Sequence, residues 1–130
     1  MSTRLALDAY QSIEKSTLTG RELEANVLTR VADMLAQAKQ ADESQRGELI
    51  EHAVRHNLRV WTLFQAELLD PEHPLPAEVR QNLLNLTAFI DKRSLELIAD
   101  PKPEKLDILI AINRNIAAGL RGDPGPAPEH

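Results

Sequence analysis

Cysteine is absent, aromatic rings are scarce and glycine is thinly spread, and each shortage closes off a class of function. Without Cys there is no disulfide framework and no thiolate metal site. That fits a reducing compartment, so the cytoplasm is the expected location. The five glycines fall at positions 20, 47, 119, 122 and 125, too scattered for a loop that cradles phosphate. Aromatic residues make up 3% of the chain, which argues against a sheet protein, whose strands favour aromatic and β-branched side chains. Positive charge is in deficit as well. A net charge of −5 repels a phosphate backbone, so nucleic acid is not an expected direct partner. No apolar run approaches the roughly 18 residues of a membrane helix, and Asp8 interrupts MSTRLALDAY where a secretory signal needs an unbroken apolar stretch. Neither a membrane span nor signal-directed export is expected.

What is present is aliphatic and periodic. Hydrophobic residues at 42%, dominated by Leu, Ala and Ile, point to an all-α domain, and 130 residues suffice to bury a real core. In LTGREL, Thr19 and Glu22 have capping-box spacing and Leu18 can staple on Leu23, so the first bundle helix is expected to start near Gly20. Its stripe is Leu23, Val27, Val31, Leu35 and Ala38, with Leu28 and Met34 beside it.

Asp42 or Ser44 caps a second helix, on which Ile50, Val54, Trp61, Phe64 and Leu68 share a face and Leu49, Ala53 and Val60 widen it. Pro71, Pro74 and Pro76 stiffen the next connection. A third helix carries Val79, Leu83, Leu86, Ile90 and Leu97 to about Ala99. Pro101 and Pro103 open a fourth, with Leu106, Leu109, Ile110, Ile116, Ala117 and Leu120, and Gly122 suits the position just past its end. Short links between such helices predict an antiparallel four-helix bundle over residues 18–122. A short N-terminal helical segment, residues 1–17, needs something to dock on, and the Pro-rich tail 123–130 is expected to be disordered.

The residues that suggest chemistry each have a plainer reading. His52 and His56 stand one helical turn apart, as two metal ligands do, yet HExxH is absent and a structural zinc site takes four ligands. A solvated pair is expected, with no metal and no cofactor. Asp70, Glu72 and His73 gather in the Pro-rich loop without a nucleophile or a recognisable partner, so the chain is not expected to be an enzyme. Arg46, Arg55 and Arg59 are interrupted by Glu48, Glu51 and Glu67, which reads as a mixed solvated face.

Asn113 stands in the centre of the last helix's apolar stripe, where it must find hydrogen-bond partners or fix an interface. Leu84 and Leu95, with Ile108 and Ile112, lie off the main stripes of their helices and mark a candidate groove for an amphipathic helix. Trp61 and Phe64 belong to the buried stripe, and the Trp indole still needs an acceptor, so the bundle edge beside the Pro loop is a second candidate. The six partner-binding candidates are therefore Trp61, Phe64, Leu84, Leu95, Ile108 and Ile112.

The order of certain elements also resembles a known family. Ala9-Tyr10-Gln11, TGRELEANVLTRV, RVWTLFQAELLDPEHPLPAEVRQNLL and LIAINRNIAAGLRG resemble FlaF, a flagellar biosynthesis regulator of alphaproteobacteria, over about residues 7–122. The resemblance implies a cytoplasmic protein needed to make and export flagellin. It further implies action with the translational regulator FlbT and, as in some members, behaviour as a flagellin-binding secretion chaperone. It implies flagellin as partner, FlbT as a second, and no catalytic residues.

Overall fold

The computed structural model describes residues 2–122, with side chains from Gly20 onward. The tail expected to be disordered, 123–130, and the side chains through which residues 1–17 would dock lie outside the described residues. Among the described residues the elements are α1 (Ser2–Gln40), α2 (Glu43–Leu68), α3 (Ala77–Ala99), a 3₁₀ turn (Pro103–Leu106) and α4 (Asp107–Leu120), with no strand. They form the expected antiparallel four-helix bundle.

The helix start expected at Gly20 is not there, because α1 runs unbroken through it. A glycine lowers helix propensity by about 1 kcal/mol, too little to break a segment whose two flanks both repeat at helical spacing. The Thr19–Glu22 pair therefore lies inside a helix instead of capping one. The apolar stripe of α1 is also rotated from its expected position. Ala25, Leu28, Val31, Ala32, Leu35 and Ala38 are buried, whereas Leu23 is 67% exposed and Val27 is exposed too. At about 100° per residue, Ala25 and Ala32 carry the buried face away from Leu23. Two small side chains thus sit on the buried face, and a reading weighted by hydrophobicity undervalues them.

α1 packs along α4 and α2, and α2 packs along α3, but α3 and α4 do not come close along their lengths. Short links were expected to place every pair of sequence neighbours side by side. The α3–α4 link departs from that because the 3₁₀ turn is inserted between them and buries Leu106 completely. Lys105 Nζ reaches Glu96 of α3 at 3.3 Å and Arg93 Nη1 donates to the Lys105 carbonyl at 3.3 Å, which ties this turn to α3. On the surface, Lys39–Asp107 at 2.6 Å and Arg114–Asp33 at 3.4 Å bridge α1 and α4. Exposed pairs of this kind are worth at most about 1 kcal/mol each, so burial holds the bundle together.

The core runs through Leu28, Leu35, Ile50, Val54, Ile90, Leu97 and Leu109, all fully buried. Leu49, expected to widen the α2 face, is exposed instead. α4 ends as predicted: Gly122 takes φ +76, the left-handed conformation that favours glycine, and its N–H donates to the Gly119 carbonyl at 3.1 Å.

Candidate functional site

A buried polar chain crosses the core of the bundle. Trp61 is 2% exposed, and its indole Nε1–H donates to Asn113 Oδ1 at 2.8 Å. Asn113 Nδ2 in turn donates to Asn57 Oδ1 at 2.7 Å. The orientation of each amide follows from chemistry: Trp is only a donor, so Asn113 must present its oxygen to the indole, which leaves its NH₂ to donate to the Asn57 oxygen. One donor is left over: Asn57 Nδ2 is buried without a partner among the described residues. The sequence reading placed Asn113 correctly in the core but passed over Asn57. Its signal was its spacing, three residues after Val54 and four before Trp61, on the same face of α2.

Above this chain, where α3 and α4 fail to close, a cleft of about 670 Å³ opens at one end of the bundle. Leu28, Trp61 and Leu68, all buried, form its floor, with Phe64 beside them. The Trp61 and Phe64 rings meet edge to face, with centroids 5.6 Å apart, which holds the Phe64 ring against the floor. Val79 and Leu83 of α3 make one wall, and Ile116 and Leu120 of α4 the other.

The Pro-rich loop supplies the rim through His73, Pro74 and Leu75. Its shape is set locally. Asp70 Oδ1 accepts the Glu72 N–H at 2.9 Å, His73 Nδ1 accepts the Leu75 N–H at 3.2 Å, and Arg80 Nη1 donates to the Asp70 carbonyl at 2.9 Å. Two of the three groups first considered as an acid–base cluster thus serve to shape the loop.

Among the described residues charge enters the cleft from the α1, α2 and loop side. Arg21 and Glu24 of α1, Glu67 of α2 and His73 of the loop line it, while the α3 and α4 walls contribute no ionisable group. Burial lifts the Glu24 carboxyl above its ordinary value and the neighbouring Glu67 charge adds to the rise, with His73 and Arg21 pulling the other way. A folded-state value above the unfolded one means that Glu24 contributes stability below the ordinary carboxylate range, and this is lost as pH rises through the raised value. Glu24→Gln is therefore expected to raise the melting temperature at pH 7, by a few degrees at most, and to leave it unchanged at pH 4. Thermal unfolding followed by circular dichroism at the two pH values checks both the effect and its sign.

The six sequence candidates separate in space. Trp61 and Phe64 line the cleft, whereas Leu84, Leu95, Ile108 and Ile112 do not. Leu95 is 64% and Ile108 39% exposed, while Ile112 is half-buried and packed against the core, as Leu84 is half-buried on α3. On each helix, then, one of the two off-stripe residues is exposed and the other half-buried. Glu24, Glu67, Leu83 and Leu120 were not among the candidates. Their membership depends on four segments distant in the chain meeting at one end.

His52 is exposed and His56 half-buried. They gain no third neighbour: among the described residues no three His, Cys, Asp or Glu side chains gather around one point. No helix among the described residues is long and apolar enough to cross a membrane. Among the described residues the lining is mainly apolar, with Arg21, Glu24, Glu67 and His73 as its ionisable groups, so the cleft offers burial of apolar surface beside a charged rim.

The model of the family described as flagellar protein FlaF matches residues 6–120, a span that includes all of α2, α3 and α4 and most of α1. No curated protein and no solved structure matches the chain.

Proposed function

The chain belongs to the FlaF family of flagellar proteins, and we propose that it is a non-enzymatic cytoplasmic chaperone that binds flagellin and links its synthesis to export. The observation that supports this reading is the open apolar cleft of about 670 Å³ at the bundle end. An apolar concavity of that size takes several side chains of an amphipathic helix at i, i+3, i+4 and i+7. A flagellin segment whose packing partners are missing before polymerisation has such a face to shield. Binding then consists of reversible transfer of that face from water into the cleft, and release returns it when assembly supplies its proper neighbours.

Val79 provides the cleanest test. It is exposed on the cleft wall and lies in the first turn of α3, where a carboxylate suits the helix dipole. Val79→Glu is expected to keep the helical circular-dichroism signal and melting temperature while weakening flagellin binding at least tenfold, about 1.4 kcal/mol. Size-exclusion chromatography with light scattering, followed by calorimetry, reads both quantities. Leu95→Gln/Ile108→Gln is the companion variant. If it abolishes the complex while Val79→Glu does not, the docking surface lies on the exposed flank of α3 and α4 instead of in the cleft.

The rival reading is a regulatory adaptor acting on flagellin translation through FlbT without touching flagellin. It predicts that micromolar wild-type protein elutes unchanged in the presence of flagellin.

A further inference from the structure

The cleft is not a neutral apolar slot, and the placement of its charges restricts what fits. Glu24 and Glu67 face it from α1 and α2, and among the described residues neither enters an ion pair within 4.0 Å. Among the described residues the other ionisable groups facing the cleft are Arg21, which is exposed, and His73 of the loop, while α3 and α4 contribute none. From this asymmetry we infer that the occupant is an amphipathic helix carrying a lysine or arginine at the edge of its apolar face, seated so that the cation meets Glu24 and Glu67 while the aliphatic side chains meet α3 and α4. The inference rests on reading the cleft as a docking site for a partner helix.

The argument is one of desolvation. An occupant that covers the cleft strips water from two carboxylates, and an uncompensated charge leaving water is strongly unfavourable. Glu24 already shows the strain of its surroundings, its carboxyl being raised by burial and by Glu67 despite Arg21 and His73. Arg21 carries one positive charge against two carboxylates, so with His73 neutral a neutral occupant leaves a net negative charge sealed against an apolar surface. A cation on the occupant removes that penalty and also gains a charge-assisted hydrogen bond in a drier site. An acidic occupant meets like charge and is rejected, which gives the cleft selectivity as well as affinity.

Fluorescence anisotropy with labelled synthetic amphipathic helices tests this directly. The peptides share leucine at i, i+3, i+4 and i+7 and differ only in whether Lys, Gln or Glu stands at both edges of that face. The wild-type chain is expected to bind the Lys peptide about tenfold more tightly than the Gln peptide, and the Glu peptide most weakly. The Lys preference should shrink as salt is raised and disappear in Glu24→Gln/Glu67→Gln, while the Gln peptide binds that variant at least as well as wild type. Equal affinities for the three peptides, a preference that survives the double substitution, or no binding of any peptide overturns the inference.

Flagellin in the same assay separates the two readings. If flagellin binds wild type and Glu24→Gln/Glu67→Gln equally tightly, the charge requirement falls and the chaperone stands. If the Lys peptide discriminates but flagellin does not bind, the cleft chemistry stands and its client is another basic amphipathic helix.

Discussion

Replacing Trp61 with alanine is expected to destabilise the fold by about 3–5 kcal/mol, the range for deleting a large buried aromatic. Three losses combine at one position: a side chain that is 2% exposed in the core, the hydrogen bond to Asn113 at 2.8 Å, and the edge-to-face contact with Phe64. Because domains of this size are held by roughly 5–15 kcal/mol, the variant should unfold well below the wild-type denaturant midpoint, as read by far-ultraviolet circular dichroism in urea. Trp61→Phe separates the components, since it keeps most of the ring but removes the donor. Its loss should stay within about 1–3 kcal/mol, set by the unpaired Asn113 oxygen. Equal losses in the two variants would show that ring volume is irrelevant and would contradict the packing described above.

Asn113→Leu carries the second large effect, expected at about 2–5 kcal/mol although leucine is apolar and similar in size. The substitution leaves the Trp61 Nε1–H and Asn57 Oδ1 buried without partners, beside an Asn57 Nδ2 that has none among the described residues to begin with. Removing one member of a buried network is worse than removing all of it. Asn57→Leu added to Asn113→Leu should therefore cost much less than the sum of the single losses, and Trp61→Phe on top should recover more. Trp61 is the sole tryptophan, so its emission reports the surroundings of this network in the variants that keep it. Strict additivity in that series would mean that the three side chains do not act as a unit.

The readable and unreadable parts divide by range. Helix existence followed from aliphatic spacing, and the ends at Leu68, Ala99 and Leu120 followed from Asp-Pro links and Gly122. Those are properties of neighbouring residues. The α1 stripe was misplaced because a reading weighted by hydrophobicity undervalues alanines, and only the facing helices decide which face is buried. Asn57 was overlooked because asparagine reads as surface, although here it completes a bond begun by Asn113 on another helix. Leu84 and Ile112 lie off the main stripes on a helical wheel, yet both are half-buried, because tertiary packing and not helical period alone sets exposure.

From its sequence alone this protein is a Cys-free, acidic, all-α bundle with the order of elements that marks its family. Hydrophobic period, helix breakers and net charge act locally or over the whole chain, so they survive translation into one dimension. The cleft and its charged rim had to wait for the fold. They exist because an inserted 3₁₀ turn keeps α3 from closing on α4, and because Glu24 and Glu67, 43 positions apart in the chain, face the same space.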